Sequence, residues 1–283
     1  MKNARLLLTL LASFGLSAFT ANAAQLASTK VLSVTGFVNS YTPNGTNTQV
    51  NATQKRVAVG DIFKREDSIV TSVLSSTSLV FSNGSELTVS ENTSVTVTEL
   101  AQEAFAGNKT YEQLQADPSK SQTLLTLNYG KVNGHVKQLR EGSIFYIQTP
   151  LGTAAIRGTK FFAELRHNIA RREFVLIVKN MDGKVDILSR YAGTIEYGRG
   201  NVGDKGFESG GSERSEAIPP AHTVVIRISE DDADYGAIID RLKNYSPAQS
   251  EDTQPVIIVL PPTPPVTPED NDTVIASPNQ PAS

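Results

Sequence analysis

The segment from Thr149 to Phe161 constrains the fold of this chain more than any other segment, because its residues predict a turn, a buried strand and a corner. Pro150 fixes a φ that suits the second position of a turn, and Gly152 can take a positive φ or let a neighbouring backbone approach closely. Small and apolar residues then predict a strand that enters a core, and Gly158 begins the next extended run. Because the segment leaves little room for a nucleophile, a base or a metal, it predicts architecture.

Arg157 lies where this strand ends, and we expect it at a corner of the fold. Its five N–H donors have a fixed geometry that suits loop carbonyls or a carboxylate. An arginine at such a corner usually has an architectural role. We therefore predict a structural signature made of Thr149, Pro150, Gly152, Arg157, Gly158, Thr159 and Phe161.

Short runs of valine, isoleucine, leucine, phenylalanine and threonine with a period of two predict that the chain is mainly β. Asn83-Gly84 and Asp182-Gly183 separate such runs, and both dipeptides favour the two-residue turns that match strand twist. We therefore predict hairpins from Leu79 to Val89 and from Phe174 to Leu188. The periodicity alone does not distinguish a barrel, a sandwich and a solenoid-like roll.

The signature closely resembles that of the FecR-like domain, a module of the bacterial envelope. The resemblance covers roughly Lys30 to Ser189, and its departures are Ala155 where glycine is common, Lys160 where an acidic residue is common, and an insertion at about Ala101 to Gln122. It implies a solenoid-like or rolled β domain. Three further stretches carry it: Val59-Gly60-Asp61 followed by Asp67 to Thr71, Leu79 to Ser85, and Leu127 to Val132.

The N-terminus has the features of a secretory signal peptide. Lys2 and Arg5 precede an apolar run from Leu6 to Phe19, and Ala21-Asn22-Ala23 is a small-residue cleavage site. The expected segments are therefore a signal peptide (1–23) and an exported mature chain that begins at Ala24. An uncleaved anchor is the alternative, although the run is shorter than the roughly 20 apolar residues of a spanning helix. Once the signal is cleaved, no membrane span is expected.

Composition limits the class of partner. The formal net charge of -3 becomes -5 without Lys2 and Arg5, and the segment after Ala248 holds five acidic residues and no basic one. The folded part is thus near neutral, which argues against nucleic acid as a partner, since such binding needs clustered lysine and arginine. The chain has no cysteine, so disulfides cannot stabilise it and it must rely on its core. We expect one FecR-like domain (24–248, with its core at 30–189) and a proline-rich acidic tail (249–283).

Two helical segments are expected. Residues Ala101 to Asp117 are nearly free of β-branched residues and stop at Pro118, which favours short helices within the insertion. Ser229 to Asn244 predicts a longer helix, with Ser229 as cap and acidic residues complementing the N-terminus. Its apolar face, which should dock on the β core, comprises Tyr235, Ile238, Ile239 and Leu242.

The tail has eight prolines in 35 residues and cannot bury enough apolar surface to order itself. One run inside it is apolar and β-prone: Val256, Ile257, Ile258, Val259 and Leu260. Such a run is costly to leave in water, and it can add a strand to its own domain or to the sheet edge of a partner.

Several patterns that suggest chemistry have plainer explanations. Gly198 to Gly203 matches a dinucleotide fingerprint by letter, but no helix follows to hold a pyrophosphate. His135, His167 and His222 lack the spacing of a zinc site. The acidic run from Glu230 to Asp234 suits a helix N-terminus better than a calcium loop. We expect no catalytic residue, no metal and no cofactor.

One basic cluster is conspicuous: Arg166, His167, Arg171 and Arg172. It should lie at the tip of a hairpin between Phe161 to Leu165 and Glu173 to Val178. A solvated loop tip is the default interpretation. The alternative is a contact site for an acidic polymer or partner.

These expectations converge on a non-enzymatic exported module that binds another envelope protein as a periplasmic or cell-surface adaptor or regulator. Signalling members of the resembled family add a membrane helix and a cytoplasmic anti-sigma segment, neither of which is evident in this sequence. The alternative is a module that binds cell-wall polysaccharide or exopolysaccharide. In that case tyrosines would stack on sugars, the candidates being Tyr41, Tyr111, Tyr191 and Tyr197. An enzyme with paired carboxylates is the third and weakest hypothesis.

Overall fold

The computed structural model describes residues 27–43, 52–105, 109–197, 205–207 and 214–245. Within these residues the chain forms eighteen strands (β1–β18) and one α-helix (α1), so the predicted mainly β class is confirmed. The predicted signal peptide, the dinucleotide-like Gly198 to Gly203 and the tail segment Val256 to Leu260 lie outside the described residues.

The strands form two sheets that share one long strand, β9 (Ser121–Val136). The first sheet has the order β4-β1-β6-β7-β9-β12-β13-β18-β15-β16. Its other strands are β1 (Thr29–Thr35), β4 (Ile62–Phe63), β6 (Ser76–Phe81), β7 (Glu86–Val89), β12 (Thr159–Asn168), β13 (Glu173–Asn180), β15 (Gly193–Tyr197), β16 (Lys205–Phe207) and β18 (His222–Ser229).

The second sheet has the order β3-β2-β5-β8-β9-β10-β11-β14-β17. The chain passes between the two sheets repeatedly, which is a rolled arrangement, and the sheets do not close into a barrel. The remaining strands are β2 (Val38–Pro43), β3 (Ala52–Arg56), β5 (Ser68–Thr71), β8 (Thr93–Gln102), β10 (Ile144–Thr149), β11 (Gly152–Arg157), β14 (Lys184–Ser189) and β17 (Arg214–Ile218).

Strand β9 changes sheets at Gly130. Its first half pairs with β8 and β10, and its second half pairs with β7 and β12. Gly130 has a φ of 89°, a left-handed value that residues with a side chain rarely adopt. A Cβ there would lie 2.3 Å from the Thr93 hydroxyl oxygen. Glycine is therefore required at this corner for both its conformation and its size.

The inner faces of the two sheets share one core, and Phe145 shows how they meet. Phe145 belongs to the second sheet, and its ring lies edge-on to Phe81 at 5.5 Å and 6.4 Å from Phe161, both in the first sheet. All three side chains are at most 1% exposed. Aromatic pairs with this edge-to-face geometry are favourable, so these rings help to fix the spacing between the sheets.

The Asn83-Gly84 hairpin forms between β6 and β7, as predicted, but with a different loop. Gly84 N donates to Phe81 O at 2.8 Å, and Phe81 N donates to Ser85 O at 2.8 Å. Gly84 has a φ of 82°, whereas Asn83 does not have a positive φ. The loop therefore has three residues and a bulge at glycine, instead of the expected two-residue turn.

The predicted hairpin from Phe174 to Leu188 is wrong. Strand β13 pairs with β12 and β18 in the first sheet, whereas β14 pairs with β11 and β17 in the second sheet. Asp182-Gly183 is therefore a crossing between the two sheets. Contacts from the signature, described below, hold this turn at the crossing.

The expected short helices of the insertion reduce to one 3₁₀ turn, Tyr111–Gln113, among its described residues. Strand β8 runs to Gln102 and β9 starts at Ser121, so both ends of the insertion belong to the sheet. The turn packs on the β6–β7 hairpin: a Cβ on Gly84 would lie 2.7 Å from the Leu114 Cβ. The ammonium group of Lys30 lies 2.9 Å from the Glu112 carboxylate, and this hydrogen bond is the main reason that the Glu112 pKa falls to about 2.

Helix α1 (Tyr235–Tyr245) begins six residues later than predicted. Ser229 does not cap it, because Ser229 is the last residue of β18 and pairs with Glu173. The predicted docking of the helix on the β core is confirmed, since Ile238 is 6% exposed and joins the core. The other members of the predicted apolar face, Tyr235, Ile239 and Leu242, are partly buried against that core.

No helix within the described ranges is both long and apolar enough to cross a membrane.

Candidate interaction site

The signature begins with a tight turn between β10 and β11. Thr149 pairs with Gly152 across this turn, and its hydroxyl oxygen accepts hydrogen bonds from Leu151 N and Gly152 N, each at 3.2 Å. Gly152 does not have a positive φ. A Cβ on Gly152 would instead lie 2.7 Å from Leu188 O in β14, so the glycine serves the close approach of a neighbouring strand.

Gly158 forms the corner between β11 in the second sheet and β12 in the first. Its φ is 54°, in the left-handed region that favours glycine. Gly183 packs directly against this corner, since a Cβ on Gly183 would lie 2.3 Å from Gly158 O. The two crossings between the sheets therefore touch each other.

Thr159 links the two crossings by hydrogen bonds. Its hydroxyl oxygen lies 3.0 Å from Asn180 Oδ1 and 2.8 Å from Asp182 Oδ1, and it accepts from Gly183 N at 2.9 Å. Asn180 is fully buried and donates to Gly183 O at 2.9 Å and Ile218 O at 2.7 Å. The Asp182 carboxylate also accepts from Lys160 N at 3.0 Å, and this bond is the main reason that its pKa is lowered.

Arg157 is exposed, and its Nη2 donates to Ser143 O at 3.0 Å. This contact is with a loop carbonyl, one of the two partners expected from the sequence. Phe161 is 1% exposed within the aromatic core. The structure thus brings the signature residues into internal contacts around two crossings, and none of these contacts resembles a catalytic arrangement.

The basic cluster is not a single surface in the structure. Arg171 and Arg172 lie at the tip between β12 and β13, where Arg172 forms an ion pair with Glu230 at 2.7 Å and Arg171 lies 3.9 Å from Glu173. His167 and Arg166 belong to β12 itself. Consecutive strand residues face opposite sides of a sheet, so these two side chains point apart.

His167 faces inward and connects the hairpin to α1. Its Nε2 lies 2.7 Å from the Tyr235 hydroxyl, and its ring stacks on Phe174 with centroids 4.3 Å apart. Burial lowers the pKa of His167. His167 therefore holds the helix on the sheet and is not available to a partner.

A cleft of about 350 Å³ lies beside this end of the first sheet. Arg190 donates to Asp234 at 2.8 Å and to the Tyr191 hydroxyl at 2.9 Å, and that hydroxyl donates to Asp234 at 3.0 Å. The cleft thus offers guanidinium donors and carboxylate acceptors side by side. Its lining comprises Arg190, Tyr191, Ala192, Arg227, Ile228, Asp232 and Asp234.

Sequence reasoning missed Arg227 and Arg190 in this cleft. Arg227 lies in the middle of a hydrophobic strand, and Arg190 lies in a short connection between β14 and β15. A single arginine in either context carries no motif. Asp232 and Asp234 belong to the acidic run that was expected at a helix N-terminus. Asp234 does directly precede α1, where its carbonyl accepts from Ile238 N at 3.0 Å, and its carboxylate also pairs with Arg190.

A second polar feature is a buried carboxyl at the base of the insertion. Asp117 is 3% exposed, and its side chain accepts from Ser121 Oγ at 2.8 Å and from Gln102 Nε2 at 3.3 Å. Burial raises the pKa of Asp117. Gln102 Oε1 is buried, and within the described residues it has no hydrogen-bond partner.

The three histidines do not converge. His135 lies beside Lys137, His167 beside Tyr235, and His222 Nδ1 lies 2.8 Å from Pro220 O. Across the described part of the chain, no group of three histidine, aspartate or glutamate residues could hold a metal ion.

The rolled pair of sheets and the structural signature define a mainly β scaffold module. More particularly, residues 67–186 match the family model described as FecR protein, which supports a FecR-like domain over this part of the chain. Strands before and after this range belong to the same two sheets. No curated protein and no solved structure matches the chain. The FecR family is a regulatory and signalling family, not an enzymatic one, and its proteins are associated with the cell envelope.

Proposed function

We propose that this chain is a non-catalytic exported binding module that acts as a periplasmic or cell-surface adaptor or regulator by contacting another envelope protein. The observation that carries the proposal is the use of the FecR signature. The hydroxyl groups of Thr149 and Thr159 form hydrogen bonds within the fold. If the signature builds the scaffold, the outer surfaces are left to bind.

The surface around the cleft supports a protein partner more than a polysaccharide. Sugar binding usually needs an exposed aromatic ring, but Tyr191 is 7% exposed and its hydroxyl is bonded to Asp234. Tyr111, another of the predicted stacking residues, contacts Ser28 through its hydroxyl at 2.9 Å. Tyr41 is half-buried, and the side chain of Tyr197 lies outside the described residues.

Affinity capture from a native envelope extract tests this proposal. The baits are the full-length chain and a chain that ends at Ala248, and both retained protein and retained glycan are analysed. A specific protein held by the full-length bait supports the proposal, and its loss from the shorter bait assigns the contact to the tail, including Val256 to Val259. Glycan retained without protein would contradict the proposal and favour the polysaccharide-binding alternative.

A further inference from the structure

Arg166 and Arg227 flank Val175 on the outer face of the first sheet. The strand register pairs each arginine with Val175, one in β12 and the other in β18. Arg227 lies between Ile226 and Ile228, which are both core residues, so its side chain faces away from the core. Because adjacent strands are about 4.8 Å apart, the two arginine Cα atoms are separated by about 10 Å.

These two arginines differ from the others at this end of the domain. Arg171, Arg172 and Arg190 have carboxylate partners, as described above. Within the described ranges, neither Arg166 nor Arg227 forms an ion pair, although Glu164 lies on the same face two residues before Arg166. Two guanidinium groups on this face are therefore free to bind an anionic group.

The floor between the arginines is apolar. Val175 is 1% exposed although it faces the solvent side of the sheet, and Ile177, next along the same face, is half-buried. Arginine stems commonly cover neighbouring apolar surface while the guanidinium group stays in water. The arrangement suits a ligand that presents carboxylates next to apolar side chains.

The face continues into the cleft, which Arg227 also lines. There the carboxylates of Asp232 and Asp234 supply hydrogen-bond acceptors, which suit the backbone N–H groups of a peptide. The aromatic ring in the cleft, Tyr191, is too buried to serve as a stacking platform for sugars. These features favour a peptide over a polysaccharide.

We propose that Arg166 and Arg227 form the binding site for an acidic segment of the partner protein. The inference rests on the proposed function and names the surface and the chemistry of the partner. Each guanidinium group presents a planar pair of donors that matches a carboxylate. Because Arg227 is exposed and Arg166 is half-buried, salt screens both guanidinium groups, and rising salt weakens the interaction.

The site is tested by measuring the binding of a synthetic decaglutamate peptide. The protein is purified from cells that express the full-length chain. The variant is R166Q/R227Q, which keeps much of each side chain's length but removes the charge. The matched control is R171Q/R172Q, which removes the same charge from the hairpin tip. We expect R166Q/R227Q to bind decaglutamate about tenfold more weakly, which corresponds to a loss of about 1.4 kcal/mol of binding free energy. The control R171Q/R172Q should change the affinity less than twofold.

Equal losses in both double variants would overturn the inference, because bulk charge would then explain binding. Absence of decaglutamate binding to the unaltered protein at low salt would also overturn it, as would preferential, arginine-dependent binding of polygalacturonate. Thermal melting verifies folding, and R227Q alone replaces the double variant if that variant is unstable.

If the capture experiment yields a protein that R166Q/R227Q retains equally, this inference fails while the proposed function stands. Capture of no protein would refute the proposed function itself.

Discussion

The Thr159 hydroxyl accepts a hydrogen bond from the backbone N–H of Gly183 at 2.9 Å and so joins two crossings that lie 24 residues apart in the chain. The first crossing, at Gly158, takes the chain from the second sheet to the first. The second, at Asp182-Gly183, returns it. Thr159 therefore fixes the place where the roll changes direction.

Thr159→Val should lower the free energy of unfolding by about 1–3 kcal/mol. Valine has nearly the same shape, but it removes the hydroxyl group that contacts Asn180 Oδ1 and the Gly183 N–H, and it leaves these two groups only the longer bond between them, at 3.3 Å. Thr159→Ser keeps the hydroxyl and should lose less, about 0.8 kcal/mol for one buried methyl group. Urea unfolding measures both variants. A valine variant at least as stable as the serine variant would argue against the hydrogen-bonded link.

Gly183→Ala should be more destabilising than Gly158→Ala. A methyl group at Gly183 would meet Gly158 O at 2.3 Å, so backbone must move, at a cost of about 3 kcal/mol. At Gly158 the nearest atom would be 3.9 Å away, and only the left-handed backbone opposes alanine, by about 1–2 kcal/mol.

Gly60→Ala is the matched control for Gly158→Ala. Gly60 has a φ of 87°, and no atom lies within 4 Å of its added Cβ. Thermal and urea unfolding should give similar losses for these two variants. A cost for Gly158→Ala as large as that for Gly183→Ala would contradict the assignment of contacts at the corner.

Arg157→Ala should destabilise the domain by about 1 kcal/mol and leave partner binding intact. The Arg157 side chain is exposed, but it supplies a donor to the carbonyl of Ser143, a fully buried residue. Denaturation and capture from envelope extract are compared on the same preparation. Unchanged stability with lost capture would show that Arg157 is a contact residue and not an architectural one.

Asp117 should make stability fall as pH rises. Burial raises its pKa in the folded state, so the neutral acid is favoured there, while the unfolded chain ionises near the ordinary value of 3.8. The difference first appears near that pH and grows until the folded-state pKa is passed. Arg140 donates from its Nε to the Asp117 backbone carbonyl at 3.2 Å, and its backbone N–H donates to the carboxylate, which lowers the pKa by less than burial raises it.

Asp117→Asn removes this titration. The free energy of unfolding of the unaltered chain minus that of Asp117→Asn should decrease as pH is raised from about 3.8 toward neutrality. Urea unfolding across this range measures the difference. A difference that is flat or that increases with pH would show that the buried carboxyl is stabilised as an anion.

The alternation of apolar and polar residues was sufficient to predict strands, because it reports which side chains are buried. It could not show which sheet a strand joins. Phe174 to Leu188 has the pattern of a hairpin. Asp182-Gly183 is a crossing because its turn is bonded to Asn180, which is close in sequence, and to Thr159, which is distant in sequence. Gly130 likewise lies inside one continuous strand, and nothing local distinguishes it from a strand glycine.

The candidate site was less predictable than the fold. The basic cluster was visible in the sequence, but its division between two faces depends on the alternation of side chains along β12, which puts His167 under the helix and Arg166 on the outer face. Arg227 joins Arg166 only through the pairing of β13 with both of its neighbours. Ser229 was predicted as a helix cap because no sequence signal shows that β18 extends to that residue.

The central claim is that the signature builds the scaffold and that the outer face of the first sheet binds the partner. Amide hydrogen exchange tests it most directly, by comparing the chain alone with its complex with the captured envelope partner. The account predicts added protection in β12, β13 and β18 and in the segment around Arg190, with the exchange of residues 149–158 unchanged. Protection that appears at 149–158 and leaves β13 and β18 unaffected would contradict the account.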